Sequence, residues 1–521
     1  MLIGDIITSN AQCYPEKVGF IDANGRYTWD ETNSRVNRLS HALLSLGLTK
    51  GDRVAILCEN RHEFGEFMFA TAKTGLIGVG INYRLVPDQM ARQINDCQPR
   101  ALIVQKDFAL KVNAALHEIE GVGVLIGIDE GHGYPYDYES LLAECPTSEP
   151  RVELTEDDIH MICYTSGTTG WVKGAIRTHK NRMAVIPQDW LVCRCYPTDI
   201  LLNPGPVFAA GGQYRFFTTC FAGSTHIFQT WQSAEQWAHI IEKEKVTVAT
   251  MVPVRYAMIR EYLTTVSHKP DLSSLRLVGT VVPFTAEQII EMPSVFGNTA
   301  LLISKGYSGT ELGMPAGILP EEVAAMLRPG ASEKQKERLS AMGKAILCRI
   351  RVVNEEGKDV APGEVGELLL QGDSLAKGYW QRPELDAEVF KEGWYHTRDL
   401  VTRDEEDYLY FMGRKDLMIK TGGFNVFPEE VESVISRHPS VAEVAVFGVE
   451  DDKWQLVVTA AVSLKTGHSV TEDEIKEYCR QYLSGFQVPK KVYFLEKLPA
   501  TETQIKVARM ELRRMFGKSK D

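Results

Sequence analysis

Short β-branched apolar runs alternate with amphipathic stretches along most of the chain. Residues 53–57 (RVAIL) read as a strand, 62–75 (HEFGEFMFATAKTG) as a helix, VGIN as a strand, DQMARQIND as a helix and 101–105 (ALIVQ) as a strand. Short strands separated by helical patterns are the mark of βαβ units, in which crossover helices join parallel strands. The rhythm returns at 246–253 (VTVATMVP) and 275–279 (LRLVG). The fold class expected is therefore α/β with doubly wound parallel sheets. From about residue 345 the pattern changes. CRIRVVNEEGKDVAPGEVGELLLQG and YLYFMGRKD carry strands separated by turns, which predicts an antiparallel, β-barrel-like unit. Beyond residue 416 a smaller α+β pattern follows: EEVESVISRH as helix, VAEVAVFGV and LVVTAAVSL as strands, EDEIKEYCRQYL as helix. The expected organisation is a large N-terminal domain, 1–415, and a small C-terminal domain, 416–521.

Length and composition agree with this division. The chain has 521 residues, of which 44% are hydrophobic and 24% charged, which excludes long disorder, collagen-like repeats and a disulfide miniature. A chain of this size exceeds what one core usually holds. With 57 Lys and Arg against 69 Asp and Glu the net charge is −12, and no basic run occurs. A nucleic-acid partner is not expected, although a local basic groove for a phosphate ligand remains open. The ten cysteines are scattered without a CxxC pair, and no second cluster accompanies Cys193 and Cys195 to complete a zinc site. The first residues, MLIGDIITSN, lack the pattern of a signal peptide, and the last, KSKD, form no anchor signal. No stretch reaches the ~18 apolar residues of a membrane span. The expected location is the cytoplasm, and a homodimer is left open.

The most informative segment is Tyr164-Thr165-Ser166-Gly167-Thr168-Thr169-Gly170-Trp171-Val172-Lys173-Gly174, which follows the apolar run IHMIC. Hydroxyls, exposed backbone N–H groups at glycines and a mobile lysine together suit a triphosphate. The segment is not a Walker A loop, which would need glycine where Val172 stands. Three further segments accompany it. Gly306-Tyr307-Ser308-Gly309-Thr310-Glu311 follows the apolar run LLIS. Gly393-Trp394-Tyr395-His396-Thr397-Arg398-Asp399 precedes the last strands of the β unit. Gly413-Arg414-Lys415-Asp416 leads into IKTGGFNVFPEEVE.

In this order and spacing the four segments resemble the signatures of the adenylate-forming superfamily: acyl-CoA synthetases, firefly luciferase and peptide-synthetase adenylation domains. The resemblance spans nearly the whole chain and includes GELLLQGDSLAKGYW (366–380). It implies roles residue by residue. Thr165, Ser166, Gly167, Thr168, Thr169, Gly170 and Lys173 would hold the β- and γ-phosphates of ATP. Gly306 and Tyr307 would line the adenine, Thr310 would reach the α-phosphate, and Glu311 would help hold Mg2+. Asp399 would accept both ribose hydroxyls, with Arg414 beside it. The C-terminal domain would rotate about a hinge at Asp416, bringing Lys420, Gly422, Gly423 and Phe424 to the pantetheine arm of coenzyme A. His179 and His396 are expected to be structural.

The sequence departs from the family pattern at several points. Val172 replaces a common proline, Arg398 the glycine of TGD, and Ser308 a glycine of the adenine motif. The acyl segment, Pro206-Val207-Phe208-Ala209-Ala210-Gly211-Gly212, has no histidine and is similar to the form found in aryl-acid ligases. In the C-terminal tail, counting forward from Pro499 puts Ile505 at the position of the family's catalytic lysine. Counting back from Arg509 and Leu512 puts Lys506 there. One extra loop residue reconciles the two counts, so Lys506 is the expected catalytic lysine.

The resulting expectation is a carboxylic acid:CoA ligase (AMP-forming) that uses ATP, Mg2+ and coenzyme A. Lys173, Thr310, Glu311 and Lys506 would serve adenylation by positioning and charge stabilisation. Val207, Phe208, Gly211, Gly212, Val252 and Val281 would line the acyl site. All are apolar or small, so the acid would have an uncharged hydrophobic body: fatty, alicyclic or aryl. Two alternatives remain: an enzyme loading a carrier protein, and a nucleotide-binding homologue impaired in catalysis. A Rossmann dehydrogenase is excluded, because GVGVLIG (121–127) spaces its last glycine one residue too far.

Overall fold

The computed structural model describes residues 1–165, 173–280, 284–421, 424–451, 454–499 and 507–517. The described residues form two compact units that draw on separated stretches of chain. The first takes Met1–Thr165, 173–349 and Leu370–Gly393; the second takes Ile350–Leu369 and the described residues from Trp394 onward.

The first unit contains the two parallel sheets that the alternating pattern predicts. One runs in the order Tyr136–Asp137, Val124–Ile128, Ala101–Gln105, Arg53–Leu57, Ile77–Gly80, Ile159–Thr165, Lys173–Thr178. Its members pair in parallel until the last, where Lys173–Thr178 runs antiparallel to Ile159–Thr165. The other has nine strands. At its centre Ile200–Leu202, Val248–Met251, Leu277–Thr280 and Leu302–Gly309 pair in parallel, and Gly313–Ile318 then returns antiparallel to Leu302–Gly309. Strands buried on both faces have no polar side to alternate with, which is why RVAIL and ALIVQ are almost unbroken apolar runs. Helix His62–Thr74 is buried along its whole length, and Gly75 ends it in the left-handed conformation that favours glycine (φ 68°). The strand read from 246–253 is shorter in the structure, Val248–Met251. Pro253 has no N–H to give the sheet and instead opens helix Pro253–Thr265 at its first position. The core is rich in aromatic pairs, among them Phe20, Trp29, Phe69, Phe216, Phe217 and Phe228. Burying each such ring contributes roughly 1.5–3 kcal/mol.

In the second unit, residues 366–369 of strand Gly366–Gln371 lie beside Trp394–Arg403, which pairs in turn with Leu409–Arg414. The last two are antiparallel and place Asp399 opposite Arg414. The α+β portion follows. Val441–Asp451 and Gln455–Leu464 form a long antiparallel pair, and helices Pro428–Ile435 and Glu472–Arg480 supply Val431, Ile435, Ile475 and Cys479 to its core. The fold class is the one expected from the sequence pattern. All ten cysteines are free thiols. Among the described residues no helix is long and apolar enough to cross a membrane.

Candidate functional site

Two hairpins of the first unit carry the residues expected at the phosphates. In one, Thr165 and Lys173 face each other in register where the paired strands Ile159–Thr165 and Lys173–Thr178 flank residues 166–172. Ser166, Gly167, Thr168, Thr169 and Gly170 lie outside the described residues. Lys173 Nζ sits 5.9 Å from the centre of the Tyr379 ring, and no described carboxylate pairs with it. A lysine kept against a ring face and free of a carboxylate is available to an anionic ligand.

In the other hairpin, Thr310 and Glu311 occupy the turn between Leu302–Gly309 and Gly313–Ile318, closed by the Leu312 N–H donating to Gly309 O at 3.1 Å. Gly306 pairs with Gly317 and Tyr307 with Ala316. A Cβ on Gly306 would lie 2.4 Å from Met314 Sδ, so the strand needs glycine there for packing alone. Glu311 Oε1 accepts the Tyr379 hydroxyl at 2.7 Å, while Oε2 has no hydrogen-bond partner among the described residues. A half-buried carboxylate with one oxygen oriented and the other free suits Mg2+, a hard cation that takes one or two carboxylates alongside phosphate oxygens.

Tyr379 thus serves both hairpins, and sequence reasoning missed it. Its segment runs along Lys173–Thr178: the Ile176 N–H donates to Gly378 O (2.8 Å), that of Lys377 to Ile176 O (3.0 Å) and that of Trp380 to Gly174 O (2.7 Å). The Ala376 N–H donates to Glu311 O at 2.7 Å, and the Tyr379 N–H to Asp386 Oδ1 at 2.8 Å, where burial raises the carboxyl pKa. The available signal was the AKGYW end of GELLLQGDSLAKGYW, which carried the resemblance but no assigned role.

The expected acyl-wall residues fall into different environments. Val207 and Phe208 are buried in the main core, where Phe208 meets Tyr83 edge-on at 5.2 Å. Gly212 closes on backbone, since a Cβ there would lie 2.3 Å from Pro206 O, whereas a Cβ on Gly211 would meet nothing within 4 Å. Val252 is half-buried at the start of helix Pro253–Thr265, and Val281 lies outside the described residues. Among the described members of the group, Gly211 borders open space. His179 holds a packing position: Nδ1 accepts the Ile3 N–H at 3.3 Å, and burial pushes the imidazole pKa down to about 4.

In the second unit Asp399 is buried and accepts Arg414 Nη1 at 3.0 Å, and Arg414 Nη2 lies 3.3 Å from Asp416 Oδ2. Arg398, which stands where the family pattern has glycine, takes φ 60°. The arginine therefore carries a backbone that glycine adopts without strain. Glu367, also buried, takes Lys415 Nζ at 2.9 Å and lies 3.5 Å from His396 Nδ1. Lys420 and Phe424 lie in the paired strands Ile419–Thr421 and Phe424–Val426. Phe424 is exposed and stacks on Phe486 at 4.5 Å. Gly422, Gly423 and Lys506 lie outside the described residues. Flanking Lys506, the Ala508 N–H donates to Pro499 O at 2.7 Å, and Arg509 pairs with Glu432 at 2.7 Å.

Residues 7–380 match the family described as AMP-binding enzyme, and residues 430–504 match its C-terminal domain. The chain belongs to the AMP-binding enzyme family. An indoleacetate–CoA ligase of Aromatoleum aromaticum is 30% identical over 96% of each chain. A long-chain-fatty-acid–CoA ligase of Mycobacterium tuberculosis is 30% identical over 99% of this chain and 98% of its own. Among solved structures, an anthranilate CoA ligase in complex with anthranoyl-AMP superposes with a TM-score of 0.86 at 25% identity, over 99% of this chain and 97% of its own. Family, fold and relatives together assign this member acid–CoA ligase chemistry.

Proposed function

We propose that this chain activates a carboxylic acid with an uncharged hydrophobic body, fatty, alicyclic or aryl, as its acyl-adenylate and transfers the acyl group to coenzyme A. The observation that carries this reading is the pair of groups gathered on Tyr379: Lys173 over the ring, and Glu311 on the hydroxyl with a second oxygen free. A carboxylate is a poor electrophile because oxide would have to leave, and the mixed anhydride with AMP supplies a good leaving group. Attack of the carboxylate oxygen on the α-phosphorus of ATP, which would form acyl-AMP and release pyrophosphate, brings one anion onto another. Lys173 and Lys506 would neutralise charge that grows in the transition state, and Thr310 would orient the α-phosphate. Mg2+, held by Glu311, would screen the phosphate oxygens. No general base is required, because the acid is ionised at neutral pH.

Ser166 to Gly170, with Thr165, would cradle the outer phosphates. Gly306 and Tyr307 would flank the adenine, and Asp399, oriented by Arg414, would accept the ribose hydroxyls. For thioester formation, the segment from 416 to 521 would turn about Asp416 and present Lys420, Gly422, Gly423 and Phe424 to the pantetheine arm. The apolar surroundings of Val207 and Phe208, with the open side of Gly211, support an acid bound by burial. Relatives named for indoleacetate, long-chain fatty acids and ferulate point the same way.

The test is pyrophosphate release across a panel of fatty, alicyclic, aryl and dicarboxylic acids, with and without coenzyme A. Turnover confined to monocarboxylic acids with apolar bodies, with a thioester product, is expected. A preference for dicarboxylic acids would overturn the acyl assignment, and pyrophosphate without thioester would overturn the ligase reading.

A further inference from the structure

Arg177 is fully buried, yet every group its guanidinium bonds is neutral. Nη2 donates to Thr310 O at 2.7 Å and to the Tyr214 hydroxyl, and Nη1 donates to Ser374 O. Tyr214 lies in helix Ala210–Phe221, and its hydroxyl is 3.0 Å from the carbonyl oxygens of both Gly309 and Thr310. Arg182 is also buried, bonding Gln213 Oε1 and, at 2.9 Å, Cys163 Sγ. Both guanidiniums sit 5.4 Å from the centre of the Tyr214 ring. Neither arginine pairs with a carboxylate among the described residues. A buried cation without a counter-charge is costly, so its retention calls for a use that an apolar side chain could not serve.

The contacts indicate that use. Arg177 gathers three segments that are far apart in sequence: the Thr310–Glu311 turn, the start of the stretch carrying Tyr379, and the helix that begins in the acyl segment. A planar fork that donates to two carbonyls and a hydroxyl fixes direction as well as distance. We propose that Arg177 and Tyr214 are positioning residues for adenylation, which hold Thr310 and Glu311 in the geometry that the α-phosphate and Mg2+ require and tie that turn to the acyl-bearing helix. This rests on the ligase reading above.

The test uses the full chain as wild type, Tyr214→Phe, Arg177→Lys and Arg177→Met. Three quantities are measured: thermal unfolding without ligand, calorimetric binding of α,β-methylene-ATP with and without Mg2+, and kcat and KM for pyrophosphate release. A lost hydrogen bond in a chain ending on a charged group corresponds to about tenfold or more. Tyr214→Phe should therefore lose about that factor in kcat and in the Mg2+-dependent gain of analogue affinity, with KM for the acid little changed. Arg177→Lys should fall between wild type and Arg177→Met. If Arg177→Met does not fold, Tyr214→Phe decides. Variants that unfold at lower temperature but keep wild-type kcat and Mg2+-dependent binding would make the pair purely structural and overturn the proposal. A wild type that releases no pyrophosphate with any acid would sink the ligase reading instead, and the calorimetry would still decide the positioning.

Discussion

Replacing Gly306 with alanine tests why the strand expected at the adenine carries glycine. The new Cβ would lie 2.4 Å from Met314 Sδ and 3.2 Å from its Cε, where ordinary contact starts at 3.4 Å. The sulfur would have to retreat by about 1 Å, and interiors packed to crystal-like density leave little room for that. Met314 is buried against Val192 and Ile346, so overpacking should cost Gly306→Ala about 1–3 kcal/mol. Met314→Ala alone empties a buried site and should cost about 2–5 kcal/mol. In the double variant the alanine methyl enters space the methionine has left. The two losses should therefore fall short of additivity by at least about 1 kcal/mol. Urea midpoints of the four proteins at constant m-value measure this directly, and affinity for α,β-methylene-ATP is read on the same samples. Gly306→Ala as stable as wild type, or additivity within about 0.3 kcal/mol, would refute the steric argument. Lost stability with unchanged nucleotide affinity would keep the steric argument and remove Gly306 from the adenine wall.

Tyr379→Phe should raise the Mg2+ concentration for half-maximal pyrophosphate release by about three- to tenfold, as expected for losing one hydrogen bond to a half-exposed carboxylate; an unchanged Mg2+ requirement would count against Glu311 as the metal-holding residue. Because Arg398 has φ 60°, Arg398→Gly should be more stable than Arg398→Ala by about 1 kcal/mol, and equal urea midpoints would contradict the strained-backbone account. Burial pushes the His226 imidazole from 6.5 to about 3 and that of His179 to about 4. Below pH 6.5 these two sites therefore bind more protons in the unfolded chain than in the folded one. Stability present above that pH is lost as pH falls through the folded values. His226→Gln should flatten the stability–pH slope between pH 6.5 and 4, and an identical slope would show that His226 does not govern it.

Much of the fold was legible because its central strands are buried on both faces and read as unbroken apolar runs between helical stretches. RVAIL and ALIVQ coincide with the strands Arg53–Leu57 and Ala101–Gln105. HEFGEFMFATAKTG yields the helix His62–Thr74, ended by Gly75. Pro253 ended one strand early because a backbone group it lacks decides the boundary. At the site, the Thr310–Glu311 turn and the facing of Asp399 and Arg414 were legible as motif positions. What escaped were side chains whose roles exist only through distant partners. Tyr379 reaches Glu311 across 68 positions, and Arg177 reaches Thr310 across 133. No local periodicity encodes such a pairing. Arg398 was visible as a departure from glycine, but its positive φ follows from how the chain turns into Asp399.

In the proposed reaction an acid is joined to AMP before it meets a thiol. Its most direct measurement is a single turnover of enzyme, ATP, Mg2+ and an accepted acid without coenzyme A, followed by mass analysis of the bound products. Acyl-AMP should appear on wild-type enzyme, convert to acyl-CoA and AMP when coenzyme A is added, and be lost in Lys506→Ala. Acyl-CoA formed with ADP and phosphate and no acyl-AMP, or undiminished acyl-AMP in Lys506→Ala, would contradict it.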